Sequence, residues 1–231
     1  MNSKKIIHAS TLILSCLWSL PSFSFDLSTA SIEEVKTEAE RGDRSAQSDL
    51  GERYEKGEGV KTNPQQALKW YQAAANQGDV DAQIRLGEFY HSGIGVPQDF
   101  KQSKAWYQKA AEQGSALAQY NLGVAYALGA GESADSKKAF PWLEKAAKQG
   151  LVKAQCNLGL MYANGLGVEK NLYMARKWFQ KAADHGSTDA VAVLEKLKKN
   201  ALKTSLSCPS MPKFRICGPL GRYAIRSAGG C

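Results

Sequence analysis

The chain has 231 residues, 43% hydrophobic and 23% charged, enough to bury a substantial interior, and past residue 24 no apolar run approaches the roughly 20 residues that a membrane-spanning helix needs. Its formal charge of +8 becomes +6 without Lys4 and Lys5, and all the excess lies after Glu195, where Lys196, Lys198, Lys199, Lys203, Lys213, Arg215, Arg222 and Arg226 meet no acidic residue. A basic end can signal nucleic acid, but only Phe214 and Tyr223 interleave its cations after Leu206, too thin a stacking platform for that partner.

In chain order, Lys4 and Lys5 precede an apolar stretch from Ile6 to Leu20 and the small residues Ser22 and Ser24. This layout predicts a secretory signal peptide over residues 1–24, cleaved after Ser24, and hence a periplasmic or secreted protein. The stretch is too short for a membrane anchor and is broken by His8, Ser10, Ser15, Ser19 and Pro21. Ser15-Cys16 faintly resembles a lipoprotein signal, yet apolar residues continue through Leu17, Trp18 and Leu20.

The remaining chain is dominated by a 36-residue period: Trp70, Trp106, Trp142 and Trp178 keep that spacing, as do Gly51, Gly87, Gly123 and Gly159, and Tyr54, Tyr90, Tyr126 and Tyr162. Self-similarity at such a period marks a solenoid. Ala82, Leu86 and Tyr90 recur with helical spacing, as do Trp106, Ala110 and Ala111, so each unit reads as two amphipathic helices, A and B. Helix A stops at a Gly-x-Gly turn such as Gly93-Ile94-Gly95. Helix B starts at an N-cap such as Asp99, with Gln102 at the capping-box position, or at Asn63-Pro64. Pro141, inside helix B of the third unit, should kink or delay that helix. The domain plan is an N-terminal segment with a capping helix over 25–44, four repeats over 45–187, a C-terminal capping helix over 188–206 and a basic, cysteine-containing tail over 207–231.

Ala82, Leu86, Gly87, Tyr90, Gly93, Gly95, Val96, Asp99, Trp106, Tyr107, Ala110, Ala111 and Gly114 together resemble the Sel1-like repeat. The resemblance covers residues 31 to about 203. It implies an all-α, tetratricopeptide-like, right-handed superhelical solenoid whose concave surface, lined by the first helix of each pair, binds a partner. It implies no reaction.

Catalytic residues are not expected. His91 and His185 are 94 residues apart and neither sits at a ligand spacing with cysteine or carboxylate, which predicts no metal and no cofactor. The Gly-x-Gly pairs recur in every unit and are turns rather than phosphate cradles. His185, in the column of Gln77, Gln113 and Gln149, is expected to support the last carbonyls of its helix. Some cysteine-rich relatives in the resembled family are linked to penicillin binding and hydrolysis, but this chain lacks their cysteine in each unit.

The expected function is therefore binding by a monomer: an exported adaptor or host-interacting factor holding a protein or peptide in its groove. The alternative is an immunity protein that neutralises a toxic envelope-targeting effector. The groove is placed on helix A: Ser48, Glu52 and Glu55 in the first unit, Ile84, Glu88 and His91 in the second, Tyr120, Val124 and Ala127 in the third, and Cys156, Leu160 and Ala163 in the fourth, a drift from acidic to apolar. Exposed Tyr120, Val124 and Leu160 would need covering. The tail offers Met211, Phe214, Ile216, Leu220, Tyr223 and Ile225 for this, with Cys208, Cys217 and Cys231. Four mature cysteines allow three pairings. Cys208 with Cys217 and Cys156 with Cys231 is the favoured one, and a disordered tail with free or intermolecular thiols is the competing expectation.

Overall fold

In a computed structural model of the chain, residue 27 and residues 29–203 are described, and among them there are ten helices and no strand. The first is α1 (Ile32–Glu40). Four hairpins follow: α2 (Arg44–Lys56) with α3 (Pro64–Asn76), α4 (Val80–Ser92) with α5 (Phe100–Glu112), α6 (Ala116–Leu128) with α7 (Ser136–Lys148), and α8 (Val152–Asn164) with α9 (Leu172–Asp184). The array ends on α10 (Thr188–Lys203). Consecutive helices pack on one another, building the right-handed α/α solenoid. The segment 1–24 and the tail from residue 204 lie outside the described residues.

Each helix is punctuated by its own chemistry. Helices α2, α4, α6 and α8 end on Gly57, Gly93, Gly129 and Gly165, all in the left-handed region that a side chain resists. The B helices begin where Asn63, Asp99, Asp135 and Asn171 accept first-turn amides. Each of those cap residues also donates its own amide to a carbonyl of the tyrosine column, at Tyr54, Tyr90, Tyr126 and Tyr162, and so fixes where helix B starts. The complete reciprocal capping box belongs to Ser31 and Glu34 at the head of α1. Pro141 neither delays nor shortens α7, which keeps the bounds of the other B helices. The Asp135 cap, on the Lys138 amide at 3.0 Å, starts that helix in phase.

Packing follows the sequence columns. Trp106 lies in one core cluster with Ala67, Tyr71, Ala74 and Ala75 of α3 and Ala82, Leu86 and Phe89 of α4. Its ring is 7% exposed, and the Lys109 ammonium stands 3.7 Å from the ring centroid. Gly87 sets the distance between α4 and α5, because a Cβ there would meet the Tyr107 ring at 2.4 Å.

Buried glutamines cross-link the hairpins. Gln83 of α4 donates to the Ala75 carbonyl at 3.1 Å and accepts from Gln113 at 2.8 Å, so one side chain ties the end of α3 to the end of α5. Gln47 with Gln77 and Gln119 with Gln149 repeat the arrangement. In the fourth unit Gln155 meets His185 Nδ1 at 3.0 Å. The histidine ring therefore replaces a glutamine in this chain of bonds, while its backbone amide donates to the last carbonyls of α9, at Lys181 and Ala183, as expected of its place at the helix end. At the array's head, Arg53 of α2 donates to the carbonyls of Leu27 at 2.9 Å and Ala30 at 3.1 Å, fastening the entering segment.

Candidate partner-binding face

The A helices lie side by side along the solenoid, and a pocket of about 280 Å³ opens across the first three of them. It is lined by Ser48 and Glu52 of α2, Tyr71 of α3, Asp81, Ile84, Arg85 and Glu88 of α4, and Leu117 of α6. Three lining carboxylates face one guanidinium, so the pocket carries negative charge. Leu117, 44% exposed, adds an apolar lip.

An ordered polar network floors it. Tyr71 Oη donates to Glu55 Oε2 at 2.6 Å, and Arg85 Nη1 stands 3.0 Å from Glu88 Oε2 and 3.9 Å from Glu55 Oε1. Burial disfavours the Arg85 charge, but Glu88 and Glu55 outweigh it and raise the guanidinium's pKa. For Glu88 the balance is reversed: burial raises its carboxyl above the usual range, and the attraction of Arg85 offsets only part of this. Burial, reinforced by Glu55, pushes the Tyr71 hydroxyl well above the ordinary phenol range. Glu52 is paired with Lys56 on its outer side. The pocket thus offers fixed negative charge on an ordered base, which suits a cationic side chain better than an acid/base reaction.

The expected groove residues separate into two groups. Glu52, Ile84 and Glu88 meet in the pocket with Ser48, and Glu55 lies in the network beneath. His91 stands instead against Phe100, ring centroids 5.3 Å apart, where burial lowers its pKa. Tyr120 and Val124 are 2% exposed, in a core cluster with Leu143 and Met161. Burial pushes the Tyr120 hydroxyl up to about 12, a hydrogen bond with Asn157 opposing it. Leu160, 6% exposed, shares a cluster with Cys156, Phe179 and Leu194. Cys156 is buried and its sulfur is not free. Cys208, Cys217 and Cys231 fall outside the described residues.

Tyr71, Asp81, Arg85 and Leu117 were not among the expected lining residues. Arg85 belongs to the column of Asp49, Asn121 and Asn157, beside the three columns chosen. Its basic residue at an otherwise acidic or amide position was the available signal.

The Sel1 repeat family model matches residues 44–79, 80–115, 116–151 and 152–187, four adjoining copies whose boundaries fall between the hairpins. The chain belongs to the Sel1-repeat family. This Sel1-repeat chain is 38% identical to a protective antigen present in uropathogenic Escherichia coli strains and displaying an SLR fold, with a TM-score of 0.72 over 74% of this chain and 37% of that one. It is 39% identical to a Sel1 repeat protein from Oxalobacter formigenes, with a TM-score of 0.64 over 72% of this chain and 48% of that one. The Sel1-repeat chain thus spans less than half the length of either of these relatives. An immunity protein from Pseudomonas aeruginosa matches at 21% identity and a TM-score of 0.40, covering 66% of this chain and 72% of that one, too distant a likeness to carry a role. No curated protein matches the chain.

Sel1 repeats mediate protein interactions, and the units here supply a framework on which that surface varies from copy to copy. Among the described residues no helix is long and apolar enough to cross a membrane.

Proposed function

We propose that this Sel1-repeat protein is an exported, non-catalytic adaptor that holds a protein or peptide partner on the A-helix face of its first three units. The observation that carries the reading is the negatively charged pocket built across α2, α4 and α6, with its Tyr71–Glu55–Arg85–Glu88 floor. A surface assembled from three successive copies suits an extended ligand. The partner should carry a lysine or arginine beside an apolar group, the first for Glu52 and Asp81 and the second for Leu117 and Ile84. Export rests on the signal-like layout of Lys4, Lys5 and the Ile6–Leu20 stretch.

A photoreactive residue in place of Leu117, compared with one in place of Gln108 on α5, tests the face in the native cell, since both positions are exposed. The Leu117 position should give one discrete adduct that disappears when Glu52→Lys and Asp81→Lys are combined. Equal capture from Gln108, or an adduct indifferent to the charge reversals, would overturn the proposal.

A further inference from the structure

The B helices differ in charge from the A helices they pair with. Helices α5, α7 and α9 hold ten lysines and arginines against Glu112, Glu144 and Asp184, whereas α4, α6 and α8 hold two cations and two carboxylates. Lys104, Lys138 and Lys148 are paired with Glu132, Asp135 and Glu144. Lys101, Lys109, Lys137, Lys145, Lys177 and Lys181 are exposed and, among the described residues, take part in no ion pair. Three of these form a column. Lys109, Lys145 and Lys181 each follow a tryptophan by three positions, with their ammonium groups 3.7, 4.3 and 4.6 Å from the ring centroids of Trp106, Trp142 and Trp178. A cation over an aromatic ring is held in place, so this row of charge is ordered beforehand and loses less freedom on docking. In the first unit the position is Ala73, and the row begins at α5.

The far end of the row carries a second chemistry. Tyr173 and Leu172 open α9 at 75% and 50% exposure, the most exposed large apolar side chains among the described residues. Tyr173, Lys177 and Lys181 follow one another at helical spacing along one stripe of α9. We infer that the exposed side of α5, α7 and α9 docks onto an anionic lipid bilayer, its lysines meeting phosphate headgroups while Tyr173 and Leu172 enter the headgroup layer. Cations near such a surface are drawn to its negative potential, and an amphipathic tyrosine settles at the boundary between headgroup and acyl chain. Single-stranded nucleic acid fits less well. It needs aromatic faces on which bases stack, and Trp106 and Trp178 are 7% exposed beneath their lysines.

The pocket opens across α2, α4 and α6, on the A-helix side of the array. Docking through the B helices therefore leaves it facing away from the lipid and free for a partner. The inference itself uses neither the pocket, nor its partner, nor export. It requires only an anionic bilayer, so its failure and that of the proposed function are distinguishable.

The protein, purified as the cell accumulates it, is titrated with vesicles of mixed phosphatidylglycerol and phosphatidylcholine and with vesicles of phosphatidylcholine alone. Binding should need the anionic lipid and weaken as salt rises. Combining Lys109→Gln, Lys145→Gln and Lys181→Gln should weaken it about ten- to a hundredfold. Combining Arg44→Gln, Lys61→Gln and Lys153→Gln removes the same charge elsewhere and should leave it nearly unchanged. The cations of residues 204–231 are common to both variants. Equal losses, or no loss in the first variant, would overturn the assignment of the face. A second readout keeps every lysine: a photoreactive residue in place of Tyr173 should label phosphatidylglycerol, and one in place of exposed Leu117 should not. Equal labelling, or none from position 173, would contradict the docking. A single-stranded oligonucleotide bound more tightly than the vesicles and lost in the first variant would give the face to nucleic acid. Self-association lost in that variant would give it to a second copy, and either outcome overturns the lipid.

Discussion

Gly87 shows how a single missing carbon sets the geometry of a hairpin. Alanine is ordinarily better than glycine inside a helix by about 1 kcal/mol, yet here the added Cβ would stand 2.4 Å from the Tyr107 ring. We predict that Gly87→Ala lowers stability by about 1–3 kcal/mol, the usual cost of overpacking, measured as an earlier thermal or urea midpoint. A stabilised variant would mean that α4 and α5 can separate without loss. At His91, burial lowers the folded-state pKa below the ordinary value of 6.5. Its contribution is therefore present above 6.5 and is lost as the pH falls through the depressed folded value. Glu88 acts with the opposite sign: its raised carboxyl contributes most below 4.5 and loses that contribution as the pH rises through the folded value. Comparing melts of the protein and His91→Gln from pH 7.5 to 5 isolates the first term. The variant should lose less stability on acidification, and an equal loss would contradict the assignment.

At the scale of the helix, the tryptophan and glutamine columns do different work. Trp106 fills the space between α3, α4 and α5, so Trp106→Ala should cost about 3–5 kcal/mol. Gln119 donates to the Ala111 carbonyl and accepts from Gln149, so Gln119→Leu removes both of the bonds by which it links the ends of α5 and α7. We expect it to cost about 1–3 kcal/mol, measured by denaturant melts against exposed Gln65→Leu as control. Loss no greater than in that control would show that the glutamine bonds are incidental. The helices and their phase were legible in the sequence because glycine, tryptophan and tyrosine recur at one spacing, and each enforces a local event: a left-handed stop, a filled gap, an anchored cap. The column of Gln47, Gln83, Gln119 and Gln155 is equally regular, but its burial depends on the approach of the preceding hairpin, which no single helix pattern encodes. Pro141 misled for a related reason. The cap that starts helix B in every copy, here Asp135 held on the Tyr126 carbonyl, sets the phase of α7 and outweighs one lost backbone hydrogen bond.

For the whole molecule, the repeated framework separates stability from recognition. Residues that recur in every unit hold the solenoid, while those that differ between units make the pocket. This division explains which part of the site was readable beforehand. Glu52, Ile84 and Glu88 lie on the expected columns, whereas Arg85 acquires its place through Glu55, and Tyr71 through the hydroxyl it gives the same carboxylate, contacts made between neighbouring helices. Charge tests belong at Glu52 and Asp81, because Glu55 also serves the Tyr71 network. The most direct measurement is a titration of the partner captured through the Leu117 position against the protein and its Glu52→Lys, Asp81→Lys variant, from low to high salt. The account predicts roughly tenfold weaker binding at low salt for the variant, together with a flatter salt dependence. Unchanged affinity and an unchanged salt slope, with both proteins melting alike, would contradict it.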